Sequence, residues 1–530
     1  MNRWIAAFPL VGGLLGQSLA QAPVAPAAPV VAEPCAECAA GFDFKNVPRV
    51  RPATRVGAFP ILPTGPGAYS AYDRLAGESR EAAPKYPYPP FVLSTLSFFD
   101  ADWRFVDDPK YSPDALEKLK RIRVGEDWLL STGGQAWFRF ANELNARVAH
   151  RNDEYALYRV RPYLDVWYQD KFRFFIEGIF ADSAWQNLPP RGNDVDRADF
   201  QNLFLEAKLF EYDGAPVQAR VGRQEIALGS QRLVSSPDWA NARRTFDGAR
   251  LMRTGEKWDY DLFWVRPVVQ NASRLNSGDN NQNFAGSWLT YRPKKGTSLD
   301  FYYLMLDNTN RTTQLGVARS PYTLHTFGSR FAGDVDGRFL WDVEGAMQLG
   351  RNRKEDVVAG MFSAGAGYHW KETAWNPVLW LNYDYASGDG DPGRGQYNTF
   401  DQLFPFGHYY FGWLDLVGRQ NIHDLNANLY LYPSKWVTVW MQAHHFALDQ
   451  SRDALYNAAG AAIRRDATGA SGKNVGDELD LILNFHLTRR ADLLTGYSYL
   501  FAGDFLRKTN GASNKTADAS FVYLSYSYRW

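Results

Sequence analysis

Arginines recur at alternate positions in several stretches of the chain. Arg159 and Arg161, for example, alternate with Tyr158 and Val160. Side chains two residues apart share one face of a β-strand, so each such stretch separates its charges from its apolar residues. A planar guanidinium can bind a carboxylate through two hydrogen bonds. The basic residues of this group are Arg139, Arg159, Arg161, Arg173, Arg220 and Arg250.

Each of these arginines has two interpretations. It either pairs with a carboxylate on the same face and braces the protein, or it lines a path for an anionic solute. Carboxylates on the same faces include Glu143, Asp165, Glu177 and Asp480. The basic side chains concentrate in the first half of the chain, whereas carboxylates recur into the second half. This distribution predicts an electric field across the interior.

A second group of arginines borders a long polar segment near residues 229–247. It comprises Arg223, Arg232, Arg243 and Arg244, with Arg250 just beyond. One hypothesis is that this segment folds inward and narrows a pore, and the alternative is a solvated loop. Apolar residues change parity after Val221, which predicts a β-bulge at Gly222 and favours the inward loop.

No motif in the chain predicts catalysis or a cofactor. The G-x-S-x-G elbow of hydrolases is absent, and Gly472-Lys473 lacks the upstream glycine and the following Ser or Thr of a phosphate loop. The segment Ser387–Asp391 lacks the spacing and closing Glu of an EF-hand, so a plain turn is favoured over Ca²⁺ binding. We therefore predict no catalytic residue, metal or cofactor. A Ser–His pair facing lipid stays open as an alternative.

The alternating stretches that carry these charges are about ten residues long. This length matches the roughly 9–11 residues with which a tilted strand crosses a bilayer. Apolar and polar residues alternate from Gly134 to Trp530, and aromatic residues make up 15% of the chain. Mean hydropathy is −0.40, as expected when only one face of each strand is apolar. The terminal segment Phe521–Trp530 ends on an aromatic residue and predicts a closing strand.

Connection lengths provide the stronger argument for a barrel. Short turns are predicted at residues 169–171, 212–214, 254–257, 292–296, 432–434 and 488–491. Long polar loops are predicted near 182–199, 229–247, 268–283, 307–322, 386–420, 449–474 and 502–519. Alternation of short and long connections is typical of an up-and-down barrel with short periplasmic turns. The prediction is an all-β protein, a transmembrane antiparallel β-barrel of about 18 strands with a short N-terminal periplasmic extension.

The N-terminal part is predicted to be a leader. Residues 1–22 have the basic start, apolar core and small-x-small site of a signal peptide. Residues 23–97, rich in Ala and Pro, are predicted to be a flexible linker, and residues 98–530 the barrel domain. Cys35 and Cys38 predict a local disulfide in an oxidising compartment. A formal net charge of zero gives no reason to expect nucleic-acid binding.

Several blocks of sequence together resemble the alginate-export family of outer-membrane porins. They begin with Glu126–Gly134, followed by Gly222–Glu225, Gly229–Val234 and Arg244–Arg250. The most specific block is Asp384–Asp391, which continues into Thr399–Pro405, His408, Gly412, Asp415–Gly418 and Asn421-Ile422. His445-Phe446, Asp453–Tyr456 and Gly476–Asp480 follow in the expected order. The resemblance extends from about Asp102 to Trp530.

The resemblance implies an 18-stranded barrel in the outer membrane of a Gram-negative-type bacterium. The expected solute is an anionic, alginate-like polysaccharide, which passes through a lumen lined with arginines and carboxylates, among them Asp384. The expected partners are outer-membrane lipid, the solute and a periplasmic polysaccharide-export complex. The mixed charge of the inward faces also suits a general diffusion porin for small hydrophilic solutes. A barrel hydrolase or an adhesin is the remaining alternative.

Overall fold

The computed structural model describes residues 41–51, 60–89, 91, 97–511 and 516–530. The predicted signal peptide, and Cys35 and Cys38 with their predicted disulfide, lie outside the described residues. No helix in the described part is long and apolar enough to cross a membrane. The short helices are Ala71–Leu75, Gly407–Tyr410 and Asp504–Lys508, with 3-10 turns at Phe44–Asn46, Phe98–Asp100, Arg104–Asp107, Glu117–Leu119 and Ala146–Val148.

Eighteen long antiparallel strands of the described chain form a closed barrel, as predicted. They are β1 Trp128–Leu144, β2 Asp153–Tyr168, β3 Phe172–Ala184, β4 Asp196–Tyr212, β5 Ala215–Gln224, β6 Phe246–Thr254, β7 Trp258–Val269, β8 Gln282–Tyr291, β9 Ser298–Gln314, β10 Val317–Val335, β11 Phe339–Asn352, β12 Glu355–His369, β13 Val378–Ala386, β14 Ile422–Ser434, β15 Val437–Leu448, β16 Asn474–Thr488, β17 Ala491–Ala502 and β18 Ala519–Arg529. The last strand pairs with the first, from Gln135 opposite Arg529 to Leu144 opposite Ser520.

Five short strands accompany the barrel: Ile122–Val124, Ser277–Gly278, Gln396–Tyr397, Ala454–Tyr456 and Ala462–Arg465. The first pairs with the start of β1, Ser277–Gly278 pairs with the end of β7, and Gln396–Tyr397 pairs with β12 in parallel. Ala454–Tyr456 and Ala462–Arg465 pair with each other inside the connection between β15 and β16. They extend or cover the ends of the barrel wall.

Side chains alternate between the two sides of the wall. On β1, Arg139 and Glu143 are buried, whereas Phe138 and Leu144 are exposed. Apolar residues therefore face outward and charged residues face the interior, which is the reverse of a soluble β-protein. At the end of the barrel with the short turns, outward aromatic pairs include Trp258 with Tyr291, whose ring centroids are 4.2 Å apart. Such rings suit the boundary between lipid and water.

Two local predictions are wrong. The chain near residues 307–322 is not a long loop, because β9 and β10 continue to a two-residue turn at Leu315-Gly316. The prediction failed because a polar hairpin that extends beyond the membrane has the same composition as a loop. No bulge occurs at Gly222, which pairs in register with Phe204 and Gly248. The parity changes because the chain leaves β5 after Gln224 and turns inward.

The N-terminal segment differs from the predicted linker. Phe44 packs with Leu129 and Trp167, and the ring of Phe91 lies 6.1 Å from that of Trp440 on β15. Tyr88, Phe98, Phe99 and Trp103 form a cluster with inward residues of β2, β3 and β4. These aromatic residues follow no period, so composition concealed their contribution to packing. Phe44, Tyr88 and Phe91 therefore pack inside the barrel, whereas most residues from 71 to 86 are exposed.

A charge on the outward face is expected to destabilise the barrel. Phe362 lies at the middle of β12 and is 42% exposed. Phe362→Arg should lower the free energy of unfolding by about 2–4 kcal/mol, because the guanidinium would enter the apolar part of the bilayer. Urea titration of the protein refolded into lipid vesicles measures this change.

The matched control is Leu315→Arg, at the tip of the polar hairpin, where the side chain is 50% exposed. This variant should unfold like the wild type, because its charge stays in water. Equal stability of the two variants would contradict the assignment of the outward face to lipid.

Candidate functional site

The charged interior begins with two arginines on β2. Arg159 Nη2 donates to Asp238 Oδ1 at 2.6 Å, and Arg161 Nη1 lies 3.1 Å from Glu177 Oε1. Both guanidinium groups also donate to Gln135 Oε1, at 3.1 and 2.8 Å. The Gln135 side chain therefore accepts hydrogen bonds from both guanidinium groups, which lie side by side. Each guanidinium also pairs with a carboxylate of its own.

Asp238 belongs to the connection between β5 and β6, residues 225–245, which we call the first inner loop. Its residues are largely buried, so the loop folds into the barrel, as the inward hypothesis predicted. Arg243 binds Asp238 at 2.9 Å and Glu225 at 2.8 Å. Burial lowers the pKa of Arg243, whereas the charges of Glu225 and Asp238 raise it. The carboxylates have the larger effect, so the pKa lies above its usual value. The loop is therefore fixed to the wall by a charged network.

Arg232 connects this network to a part of the wall six strands away from β5. Its Nη1 atom lies 3.1 Å from Asp342 Oδ1 and 3.0 Å from Glu344 Oε2, both on β11. Arg330 on β10 also binds Asp342, through two bonds of 2.9 Å. Because the first inner loop starts at β5, the Arg232 side chain forms a bridge across the lumen.

A second inner loop, residues 387–421 between β13 and β14, completes the constriction. Ser235 N–H donates to Phe404 O at 2.8 Å, and Phe404 N–H donates to Leu233 O at 2.9 Å. Arg244 Nη1 donates to the carbonyl oxygens of Ser235 and Pro405. Burial lowers the pKa of Arg244 to about 10, since its guanidinium is removed from water. The two loops thus pair through their backbones in the middle of the barrel.

A chamber of about 300 Å³ lies between this constriction and the short turns. Its described lining contains eight arginines, namely Arg49, Arg51, Arg173, Arg220, Arg243, Arg250, Arg292 and Arg330. The carboxylates of the lining are Asp100, Glu206, Glu225, Asp238, Asp259 and Asp300. Arginines outnumber carboxylates at the chamber surface, because the partners of Arg173, Arg250 and Arg330, namely Asp165, Asp261 and Asp342, are not part of the lining. The chamber therefore presents guanidinium groups to an anion.

Ion pairs hold the chamber arginines in place. Arg173 binds Asp165 through two bonds of 2.7 and 2.8 Å, and Arg220 Nη2 lies 2.6 Å from Glu206 Oε2. These pairs join neighbouring strands, so they brace the wall as one of the two interpretations predicted. The remaining donors of each guanidinium are the part that a solute could contact.

Asp261 on β7 joins the N-terminal segment to the chamber wall. Arg250 Nε donates to Asp261 Oδ1 at 2.7 Å, and Arg51 Nη2 donates to Asp261 Oδ2 at 2.7 Å. Arg51 was missed in the sequence because it lies within the predicted linker. The segment between Pro48 and Pro52 contains only Arg49, Val50 and Arg51, which is too short to give a periodic signal.

At the long-loop end, the interior is aromatic as well as charged. Arg139 lies 3.6 Å above the ring of Trp239, without a carboxylate in contact among the described residues. Glu143 instead accepts from Tyr155 Oη at 2.6 Å and from Arg191 Nη2 at 2.7 Å. Arg139 and Glu143 are therefore near each other along β1 but serve different partners.

The other predicted site residues are more scattered. The prediction that Arg223 lines the lumen is wrong. Arg223 has the same parity as Val221, which is 60% exposed, so it lies on the outward side of the wall, where it binds Asp247 at 2.8 Å. The predicted bulge would have turned it inward, but the strand continues without one. Asp384 on β13 accepts from Arg419 Nη1 at 2.6 Å. Asp480 is buried on β16 beside Glu478.

The part of the chain that the structure describes contains no group of three or more His, Cys, Asp and Glu side chains arranged for an ion. The functional residues that sequence reasoning did not select are Arg51, Glu225, Asp238, Arg419 and Asp261. Except for Asp261, these lie outside the barrel strands, where alternation gives no signal.

Comparisons with known proteins agree with this geometry. A family model described as alginate export matches residues 128–520. The solved structure of OpdQ from Pseudomonas aeruginosa has a TM-score of 0.50 and 13% identity, covering 76% of this chain and 97% of OpdQ. OccK8 (OprE) from the same organism has the same TM-score and identity, covering 76% of this chain and 98% of OccK8. These two structures share the fold. No curated protein sequence matches significantly.

Removal of the Arg232 bridge is expected to loosen the first inner loop. Arg232→Met would leave Asp342 and Glu344 without this partner, and loss of one member of a buried ion pair is strongly unfavourable. Amide hydrogen exchange, read by mass spectrometry, should become at least about tenfold faster in residues 229–245.

Arg338→Met is the control, since Arg338 binds Glu372 at an exposed short turn. Exposed pairs contribute little, so this variant should exchange like the wild type. Unchanged exchange in the Arg232 variant would show that the bridge does not hold the loop.

The second inner loop is expected to respond to pH through Asp389. Burial, followed by the nearby charges of Asp453, Glu355 and Asp391, raises the pKa of Asp389 to about 6. An acid whose pKa is higher in the folded loop favours the ordered loop at low pH and loses that contribution as pH rises through about 6. Hydrogen exchange in residues 387–400, corrected for intrinsic rates, should be slower at pH 5 than at pH 7.5.

Asp389→Asn should abolish this difference and keep the loop protected at both pH values. Asp391→Asn, an exposed neighbour, should retain it. A pH effect that survives in Asp389→Asn would assign the titration to another group.

Proposed function

The chain belongs to the alginate export family and is an outer-membrane channel, and from this premise we propose that its solute is an anionic, alginate-like polysaccharide. The observation that carries the proposal is the chamber, with eight arginines against six carboxylates. A polymer of uronate residues presents a carboxylate on each sugar, and guanidinium groups bind carboxylates through paired hydrogen bonds. The short turns and the N-terminal segment would face the periplasm, as in other outer-membrane barrels.

Passage of a polyanion would proceed by exchange of ion pairs. Arg220 and Arg250 already bind Glu206 and Asp261, so a solute carboxylate would replace a wall carboxylate while the arginine stays in place. Such exchange substitutes for part of the hydration of the solute without holding it too tightly to leave. Transport in this scheme is passive, and a concentration gradient or periplasmic partners supply the direction.

Opening of the path requires movement of the constriction. Arg232 is the natural point of release, because the carboxylates of a uronate polymer compete with Asp342 and Glu344 for the same guanidinium. The N-terminal segment would also have to move out of the path, since Arg51 and Phe91 lie inside the barrel. A periplasmic polysaccharide-export complex that binds this segment would couple delivery of the polymer to opening.

The second candidate function is diffusion of small hydrophilic solutes. It is favoured by the size of the chamber, about 300 Å³, which suits a small solute without rearrangement of the loops. Family membership indicates a channel rather than an enzyme. The two channel functions differ in whether a polymer or a monomer binds in the lumen, and current through single channels distinguishes them.

Block of the channel by polyuronate is expected to depend on Arg220. In a planar bilayer, oligogalacturonate on the short-turn side should interrupt the current of the wild type, whereas a neutral glucan should not. Arg220→Gln should weaken the block by about fivefold, which corresponds to roughly 1 kcal/mol for a charged hydrogen bond in a wet lumen.

Arg223→Gln provides a matched control three residues along the same strand, because Arg223 also binds carboxylates but faces outward. Its block should equal that of the wild type. Equal block in all three proteins would exclude Arg220 from the solute path, and absence of block would reject the polyanion and favour the small-solute channel. Failure of both the wild type and Arg232→Met to conduct would contradict a channel of either kind.

A further inference from the structure

A second cavity, of about 250 Å³, lies at the long-loop end of the barrel and differs in chemistry from the arginine chamber. It lies between the ends of β9 and β10, the second inner loop and the connection between β15 and β16. We call it the amide pocket, after the side chains that line it: Gln282, Asn308, Gln314, Gln402 and Gln420, with the hydroxyl groups of Thr312, Ser320 and Tyr322.

The lining of the amide pocket is almost neutral. Its one charged residue is Asp401, whose Oδ1 atom accepts from Leu403 N–H at 2.8 Å. Among the described residues no arginine or lysine lines it, so this lining offers no counter-charge to a carboxylate. Amides and hydroxyls both donate and accept hydrogen bonds. They match the hydroxyl groups of an uncharged sugar, while the side chains of Leu403 and Phe404 provide an apolar surface for the ring.

Gln420 is the residue that indicates a ligand. It is 1% exposed, yet neither its Oε1 nor its Nε2 atom has a hydrogen-bond partner among the described residues. Buried side-chain amides are nearly always paired, and each exception requires an explanation. The neighbouring Gln402 is satisfied, since its Nε2 donates to Ala458 O and its Oε1 accepts from Arg419 N–H. Gln402 therefore holds the loops together, and Gln420 is available.

Backbone geometry leaves space beside Gln420. Gly460 has φ of +79°, a conformation that other residues rarely adopt, and a Cβ atom there would lie 2.9 Å from Gln420 Oε1 and 3.2 Å from Gln402 Nε2. Only a glycine lets the backbone approach both amides without filling the pocket. The connection between β15 and β16 thus closes the pocket at one side.

We propose that the amide pocket binds a single uncharged sugar ring, with the Gln420 side chain donating one hydrogen bond to a hydroxyl group and accepting another. This inference does not rest on the anionic solute of the proposed function. The pocket lies at the opposite end of the constriction from the arginine chamber, and it recognises hydroxyl groups rather than carboxylates. Its position suits contact with neutral glycans at the outer mouth of the barrel.

Isothermal titration calorimetry of the full-length protein in detergent tests the proposal without requiring an open channel. The probes are three neutral hexasaccharides, maltohexaose, laminarihexaose and mannohexaose. At least one should bind the wild type, and Gln420→Leu should weaken that binding by at least about tenfold, since two hydrogen bonds to the sugar are lost. Gln420→Leu should fold normally, because the side chain has no hydrogen bond to lose within the described part of the chain. Gln420→Met serves as a second variant of similar size.

Gln396→Leu is the matched control, since Gln396 lies in the same inner loop but is exposed and outside the pocket. It should bind the sugar as the wild type does. Absence of binding by all three sugars, or equal affinity in the wild type and both Gln420 variants, would overturn the proposal. Sugar binding without block by oligogalacturonate would retain the amide pocket and reject the polyanion channel, and the opposite result would do the reverse.

Discussion

Closure of the barrel through pairing of β18 with β1 is the constraint on which the rest of the structure depends. In lipid, each backbone N–H and C=O group of the wall must bond within the sheet, so an open edge is not tolerated. The pairing continues to the last residue, where Trp530 N–H donates to Gly134 O at 3.0 Å. A Cβ atom at Gly134 would lie 2.5 Å from the Trp530 ring, so glycine is required for this closure. With the wall closed, apolar residues must face outward and charges inward.

The inward charges then have to be satisfied inside the barrel. Isolated charges would be costly there, and the chain pairs most of them between neighbouring strands, as with Arg173 and Asp165. The two inner loops use the same interaction at longer range, with Arg232 binding β11 from the other side. Ion pairs therefore perform two tasks at once: they stabilise the wall, and they hold a constriction that other carboxylates can compete for.

Alternation along the chain was sufficient to predict the fold and the inward position of Arg161 or Arg220, because period two specifies the face of a strand directly. It could not predict partners, since Arg232 and Asp342 are far apart in sequence and one of them lies in a loop. It failed at Arg223, where a change of parity indicated a bulge but resulted from the end of the strand. It also failed for Phe91 and Arg51, because residues in short segments next to prolines pack by tertiary contact and give no periodic signal.

The pairing of lumen arginines bears on selectivity. An arginine that already binds a wall carboxylate attracts an anion less strongly than a bare charge, so in the proposed function a solute carboxylate would exchange for a wall carboxylate. Arg250 and Arg51 share the Asp261 side chain, so a solute carboxylate could replace Asp261 at one guanidinium while the other keeps its bond. A monovalent anion would gain one such contact and leave. A polyuronate would gain several in succession, and because each is weak, the polymer could move without releasing all of them at once.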